Sequence, residues 1–142
     1  MAILLKRASE AASSRDGARV LVDRRRPRGV SEESLKLQAW LPVLGPSNEL
    51  RRWFNQRPLQ WPSFRRSYLA ELATGETEDS LTQLHAIAAS QRTVTLLTSA
   101  KDQKRSHAAI LRDLLDGVKK PPSTSGSARA ASSGRIRARR NR

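Results

Sequence analysis

Three short apolar runs separated by helical patterns constrain the fold of this chain more than any other feature. The runs cover residues 2–5, 20–22 and 93–97, and charged or polar residues follow each of them. The first two runs are uninterrupted, which is typical of strands that are buried on both faces, and the third combines β-branched and apolar residues, which also predicts a strand. Because helical segments lie between the strands, crossovers must join them, and the chain is predicted to be an α/β protein with a mostly parallel sheet of three to four strands flanked by helices.

Capping residues and prolines predict where the helices begin and end. The predicted starts are marked by Ser31, Ser47, Pro62, Thr77 and Asp102. Pro58 and Gly75 are the predicted stops of the second and third helices. The apolar spacing of residues 37–44 is helical, but Pro42 predicts an irregular connection there. The aromatic residues recur at helical spacing and are predicted to be core rather than a base-stacking platform: Trp53, Trp61, Phe64 and Tyr68.

Length and charge distribution predict one domain with a basic tail. A chain of 142 residues is long enough for a single core and too short for two independent ones. Of the net charge of +14, more than half comes from residues 119–142, which hold eight Lys or Arg and no acid. Residues 123–134 are mostly Ser, Ala and Gly, which are too small and polar to offset the entropy of ordering. We therefore expect an α/β domain over residues 1–118 and a disordered basic tail over residues 119–142.

Several classes of protein are excluded or disfavoured. The chain has no cysteine, so it can form no disulfide framework and no thiolate metal site. The apolar run at residues 2–5 is shorter than the h-region of a signal peptide, and no stretch is long enough to span a membrane. No metal-binding spacing, Gly-rich phosphate loop or nucleophile elbow is present, so no metal or cofactor is expected. A cytoplasmic protein is predicted.

Polar residues follow two of the predicted strands, where each strand ends. The strand at residues 20–22 stops at an acid and is followed by arginines on both sides of Pro27. In an open α/β sheet, ligands bind in the crevice beyond the carboxyl ends of the strands. The residues expected to meet at this edge are Asp23, Arg24, Arg28, Ser99, Lys101, Asp102 and His107. Arg25 and Arg26 are interpreted as a solvated cationic loop.

The roles of these candidates remain open at this level. His107 is expected to face the sheet at a helix start, where a neutral imidazole could act as general acid or base, or could simply be a hydrogen-bonded residue at the core edge. Asp23 could orient Arg24 or Arg28 toward an anion, since guanidinium groups match phosphate and carboxylate geometry, or it could only cap a loop. A hydrolase triad of Ser99, His107 and Asp102 is a further hypothesis, which rests only on the proximity of these residues in sequence.

Many spaced motifs resemble the YeaO-like proteins of the domain of unknown function 488 group. The matching segments lie between residues 3 and 115 and include Val20-Leu21-Val22-Asp23-Arg24, Pro27-Arg28-Gly29, Trp40-Leu41, Pro46-Ser47, Trp53-Phe54, Glu71-Leu72, Val94-Thr95-Leu96-Leu97, Lys101-Asp102 and His107-Ala108. The resemblance implies a compact cytoplasmic α/β fold and brings no known substrate. The chain departs from the family pattern at Arg25-Arg26, Gln56, Thr98 and Arg105-Ser106. If the family residues at these positions form a reactive site, this chain has lost part of it.

Two functional hypotheses follow. The favoured one is a non-catalytic protein that binds anions or nucleic acid, RNA or DNA, through a cationic crevice and a basic tail. The tail residues expected to contact phosphates are Arg129, Arg135, Arg137, Arg139, Arg140 and Arg142. The alternative is an enzyme that acts on a small anionic or phosphorylated substrate at the carboxyl edge of the sheet, with His107 and Asp23 as catalytic residues.

Overall fold

The fold is a four-stranded parallel sheet with helices. The structure is a computed structural model and describes residues 2–119, so Met1 and the predicted tail from residue 120 lie outside the described residues. The strands are β1 (Ala2–Arg7), β2 (Ala18–Leu21), β3 (Ala39–Trp40) and β4 (Thr93–Thr98). The helices are α1 (Glu32–Leu35), α2 (Asn48–Gln56), α3 (Trp61–Leu72), α4 (Gly75–Ser90) and α5 (His107–Lys119). The prediction of an α/β fold is confirmed.

The order of the strands places β4 in the interior of the sheet. The order is β1-β4-β2-β3, and each neighbouring pair is parallel. The last strand in the chain therefore lies between the first two, and its carboxyl end adjoins the carboxyl end of β2. In register, Leu21 lies opposite Leu97, so the residues just beyond these strands face each other.

The two faces of the sheet are covered differently. One face forms the main core with α2, α3, α4 and α5, and its most buried strand residues are Val20, Val22, Val94 and Leu96. The opposite face is covered by α1 and by the segment between β1 and β2, where Leu21 and Leu97 pack against Ala8 and Leu35. Because β2 and β4 are covered on both sides, the side chains on both of their faces are buried, and these include the polar residues Arg19, Thr95 and Thr98.

The thinner face also contains a buried ion cluster. Asp16 accepts hydrogen bonds from Arg19 at 2.6 Å and from Lys6 at 3.0 Å. The exposed fractions of Asp16 and Arg19 are only 3% and 4%. Arg19 also donates from Nε to the carbonyl of Leu35, so the cluster ties the start of β2 to α1. Gly17, at φ 63°, makes the turn into β2, where a Cβ would meet the carbonyl oxygen of Thr93.

Several local predictions are confirmed. Ser31 caps the short helix α1, and Ser47 caps α2 by accepting a hydrogen bond from the N–H of Leu50. Pro62 lies in the first turn of α3. These features depend on contacts between residues close in sequence, which is why sequence patterns report them well.

Other local predictions are wrong. Gly75 does not stop α3, because α3 ends at Leu72 and Gly75 is the first residue of α4. Thr77 does not start α4 either: it lies inside that helix, and its hydroxyl donates to the carbonyl of Leu72. Asp102 caps a 3₁₀ turn at Gln103–Arg105 and not the last helix, which begins at His107. The connection at residues 37–44 is irregular, as predicted. It also includes the short edge strand β3, which forms because these residues pair with β2.

Tyr68 supplies a buried hydrogen bond to the main core. Its side chain is fully buried, and its hydroxyl donates to the carbonyl of Leu44 at 2.5 Å. Burial raises the pKa of Tyr68 well above its ordinary value, with further contributions from the charges of Glu71 and Asp23, so the hydroxyl stays protonated. We expect Tyr68→Phe to lower the free energy of unfolding by about 1–2 kcal/mol, because it leaves a buried carbonyl without this donor. Urea denaturation of the two proteins measures the difference. An equal stability would show that another donor replaces the hydroxyl.

Candidate functional site

A crevice lies beyond the carboxyl ends of β2 and β4. Its volume is about 680 Å³. Residues 23–28, which follow β2, and residues 98–107, which connect β4 to α5, form one part of its lining. Residues of α2, the α2–α3 connection and α3 form the other part. The crevice therefore occupies the position that ligand sites take in open α/β sheets.

Asp23 links the ends of the two central strands. One carboxylate oxygen accepts from the hydroxyl of Thr98 at 2.8 Å, and the other accepts from the backbone N–H of Ser99 at 2.7 Å. Nε2 of His107 lies 3.1 Å from the first oxygen. These contacts satisfy the carboxylate from within the protein and fix the edge of the sheet at the base of the crevice.

The environment of Asp23 favours its ionised form. Burial by itself would raise the pKa of Asp23, since its side chain is only 15% exposed. The hydrogen bonds from His107, Ser99 and Thr98 outweigh this desolvation and hold the pKa of Asp23 below its ordinary value. Asp23 is therefore an anion at neutral pH, and its carboxylate interacts with hydrogen-bond donors of the protein itself.

His107 is buried beneath the crevice by the same interactions. Its Nε2 lies 2.8 Å from the carbonyl oxygen of Val22 as well as close to Asp23, and its ring makes an edge contact with Tyr68 at a centroid distance of 5.6 Å. Both neighbours of Nε2 are hydrogen-bond acceptors, so Nε2 carries a proton and donates it. Within residues 2–119, no hydrogen bond joins His107 to Ser99 or Asp102, so the hydrolase triad is not formed.

Arg24 forms hydrogen bonds that connect two of the loops bordering the crevice. Its Nε donates to the carbonyls of Gly45 and Pro46 at 3.0 and 3.1 Å, and its side chain is half-buried. Gly45 is required there, because a Cβ would lie 2.7 Å from the backbone nitrogen of Arg24. This contact holds the loop before α2 against the loop after β2 and so sets the distance between the walls.

The other cations of the crevice are more exposed. Arg26 forms an ion pair with Glu32 at 2.7 Å and lies over the ring of Trp40. The remaining basic side chains of the lining are exposed, and no salt bridge to an acid is found for them in the described part of the chain: Arg25, Arg28, Arg51, Lys101 and Arg105. Their charges are available to a ligand. The first turns of α2 and α5 also border the crevice, and their dipoles add positive potential.

The opposite wall is aromatic. Phe54 of α2 is half-buried and stacks on the buried ring of Phe64 of α3 at a centroid distance of 4.3 Å. The exposed residues Asn48 and Asn55 of α2 also line the crevice, as does Pro58 of the α2–α3 connection. The crevice thus has one wall that is mainly cationic and an opposite wall of aromatic, proline and amide groups, to which α2 adds the exposed guanidinium of Arg51.

The structure brings together the residues that the sequence nominated. All of them line the crevice: Asp23, Arg24, Arg28, Ser99, Lys101, Asp102 and His107. Their proposed roles in binding or catalysis remain predictions. The tail arginines from Arg129 to Arg142 lie outside the described residues.

Sequence reasoning missed several residues of the lining. Thr98 is one, although its place at the end of a buried strand next to the Asp23 strand was a usable signal. Arg51 is another, and it could have been noticed because it lies off the apolar stripe of α2. No sequence signal linked the site to Arg105, Phe54 or Asn55. Phe54 and Asn55 reach this edge only because α2 packs against α3.

Fold and site together define a class: a small parallel α/β protein with a basic crevice at the carboxyl edge of its sheet. Residues 2–134 match the model of a family described as the inactive DUF488-N3 subclade. The chain belongs to this family, and the resemblance to YeaO-like proteins is confirmed.

Two curated relatives illustrate the similarity. Uncharacterized protein YeaO of Escherichia coli (strain K12) is 43% identical over 115 residues, which cover 81% of this chain and 97% of the relative. Uncharacterized protein Rv3073c of Mycobacterium tuberculosis (strain ATCC 25618 / H37Rv) is 35% identical over 102 residues, covering 72% of this chain and 83% of the relative. No solved structure matches the chain. Among the described helices, none has the length and apolar character needed to cross a membrane.

Proposed function

We propose that this protein binds phosphate-bearing polyanions, nucleic acid above all, in the basic crevice and does so without catalysing a reaction. The observation that carries the proposal is the charge of the lining, in which seven Lys or Arg side chains stand against two carboxylates. One of those carboxylates, Asp23, already accepts hydrogen bonds from Thr98, Ser99 and His107 within the protein. A concave surface of one charge sign raises the local concentration of ligands of the opposite sign.

The basic tail extends the same proposal. Residues 119–142 carry eight cations and no acid, and each cation that neutralises a phosphate releases counterions and adds affinity that is independent of sequence. The proposed arrangement is a crevice that holds one part of the polyanion and a tail that contacts its neighbouring phosphates. A cytoplasmic location belongs to this proposal and agrees with the absence of cysteine.

The state of His107 supports binding over catalysis. The alternative, an enzyme for a small anionic substrate, needs His107 to exchange a proton with its substrate. Its Nε2 donates within the protein to Val22 and Asp23, and the other nitrogen, Nδ1, belongs to a ring that is only 7% exposed. The description of the family as an inactive subclade also favours a role without chemistry.

A charge-removal series tests the proposal. We expect the full-length variant with Arg25→Gln, Arg28→Gln and Lys101→Gln to bind a labelled single-stranded oligonucleotide about tenfold more weakly than the unaltered chain at moderate salt. The slope of log Kd against log salt concentration should fall by about 2, since each lost phosphate contact on a single strand is worth about 0.7 in the slope. Fluorescence anisotropy over a salt series measures both quantities.

A matched variant separates the crevice from net charge. Arg15→Gln, Arg65→Gln and Arg92→Gln remove three exposed charges from positions outside the crevice lining. This variant should keep most of the affinity and slope. Equal losses in the two triple variants would show that the crevice is not the binding site, and absence of binding by the unaltered chain would refute the proposed function.

A further inference from the structure

The two walls of the crevice differ in the chemistry they offer a ligand. The loops that follow β2 and β4 present guanidinium and ammonium groups, whereas α2 and α3 present the rings of Phe54 and Phe64 and the amides of Asn48 and Asn55, with Arg51 as the single cation on that side. An inorganic anion would use the basic groups and leave the rings and amides without a partner. A ligand that uses both must carry a negative charge and a flat apolar surface a short distance apart.

Phe54 is the part of the aromatic wall that a ligand can reach. Phe64 is 2% exposed and is held between Phe54 and Tyr68 in a stacked series with centroid distances of 4.3 and 6.0 Å. Phe54 also contacts the ring of Trp61 at a centroid distance of 5.9 Å, is half-buried, and lines the crevice. Its ring is therefore fixed from behind by packing while part of its surface faces the hollow. A ring held in this way loses little conformational entropy when a ligand stacks on it.

We propose that the crevice takes a nucleotide unit of a single-stranded nucleic acid, with the base against Phe54 and the phosphate among Arg25, Arg28 and Lys101. This inference rests on the proposed function and specifies its ligand. Aromatic side chains stack on bases of any sequence because every base has a π face, and basic grooves follow the phosphates of single strands. In a duplex the neighbouring bases cover those faces, so Phe54 would have no base to contact.

The dimensions and polar groups of the crevice agree with this ligand. A volume of about 680 Å³ lies within the range of about 300–1,000 Å³ that small-molecule sites occupy, which suits one nucleotide and excludes a double helix. Asn48 and Asn55 line the same crevice, and each amide offers both hydrogen-bond donors and an acceptor. Such amides can pair with the edges of different bases, so the site should bind single strands with little sequence preference.

The test compares strands with and without bases on the full-length protein. The probes are a single-stranded oligothymidine of ten nucleotides, an abasic strand of the same length and charge, and a duplex of that length. For the unaltered chain, the base-bearing single strand should bind about tenfold more tightly than the abasic strand, because only the first strand has bases that can stack on an aromatic side chain. Equal affinity for these two strands would overturn the inference but leave polyanion binding intact.

A substitution locates the effect. Phe54→Leu, which keeps an apolar side chain but removes the ring, should weaken oligothymidine binding about tenfold and leave the abasic strand unaffected. Trp53→Leu is the control, because Trp53 lies next to Phe54 on α2 and does not line the crevice. Equal losses in both variants, or equal losses on both strands, would refute a role for Phe54. If no probe binds the unaltered chain, the proposed function itself fails.

Discussion

Replacing Asp16 by Asn is expected to lower the free energy of unfolding by about 3–5 kcal/mol. The substitution preserves the shape of the side chain but leaves the guanidinium of Arg19 buried without its counter-ion, and a buried charge that loses its partner is costly. The cost should be high here because Arg19 is 4% exposed and its second terminal nitrogen already has no hydrogen-bond partner in the described chain. Lys6 loses the same carboxylate. Urea denaturation at pH 7 measures the loss.

An exposed ion pair provides the control for this prediction. Glu32→Gln breaks the pair between Glu32 and Arg26, whose side chains are 70% and 51% exposed. Pairs of this kind contribute about 0–1 kcal/mol, so the free energy of unfolding of this variant should be close to that of the unaltered chain. A double variant with Asp16→Asn and Arg19→Met should recover part of the stability, because it removes the unpaired charge. A loss in Asp16→Asn no larger than that in Glu32→Gln would contradict the prediction.

Replacing Asp23 by Ala is expected to lower the free energy of unfolding by about 2–4 kcal/mol. The carboxylate accepts from Thr98, Ser99 and His107, and hydrogen bonds to a charged group contribute about 1.5–3 kcal/mol each before the partners relax toward water. Asp102→Ala is the control on the same rim. Asp102 is exposed, and within residues 2–119 it accepts hydrogen bonds only from the N–H groups of the 3₁₀ turn, so its removal should cost about 1 kcal/mol.

The pH dependence of stability provides a second readout for Asp23. Folding lowers its pKa, so its contribution is complete above the ordinary value of 3.8 and is lost as the pH falls through the lower folded value. The unaltered chain should therefore lose stability as the pH falls below about 5, and Asp23→Ala should lose less over the same range. Part of the slope should persist in the variant, because the hydrogen bonds of Asp16 with Ser13, Lys6 and Arg19 outweigh its burial and also lower its pKa. Identical acid curves for the two proteins would contradict the role assigned to Asp23.

Much of the scaffold could be predicted from sequence because it depends on local patterns. The apolar runs of β1, β2 and β4 and the caps Ser31 and Ser47 identified most elements within a few residues. The errors at Gly75 and Asp102 arose where two local signals competed. A glycine that can end one helix can equally begin the next, and an Asp that can cap an α-helix can instead cap a 3₁₀ turn.

The sequence by itself determined that this chain forms a parallel α/β sheet and that polar residues follow two of its strands. Parallel strands point their carboxyl ends to one edge, and this geometry alone predicted that Asp23 and Lys101 would lie on the same side. Only the tertiary structure decided that β4 lies next to β2, which joins Asp23 to Thr98 and Ser99. It also decided that His107 Nε2 donates into the protein and that Phe54 forms the wall opposite the arginines. Strand order and side-chain partners depend on contacts between residues far apart in the chain, and no local sequence pattern specifies them.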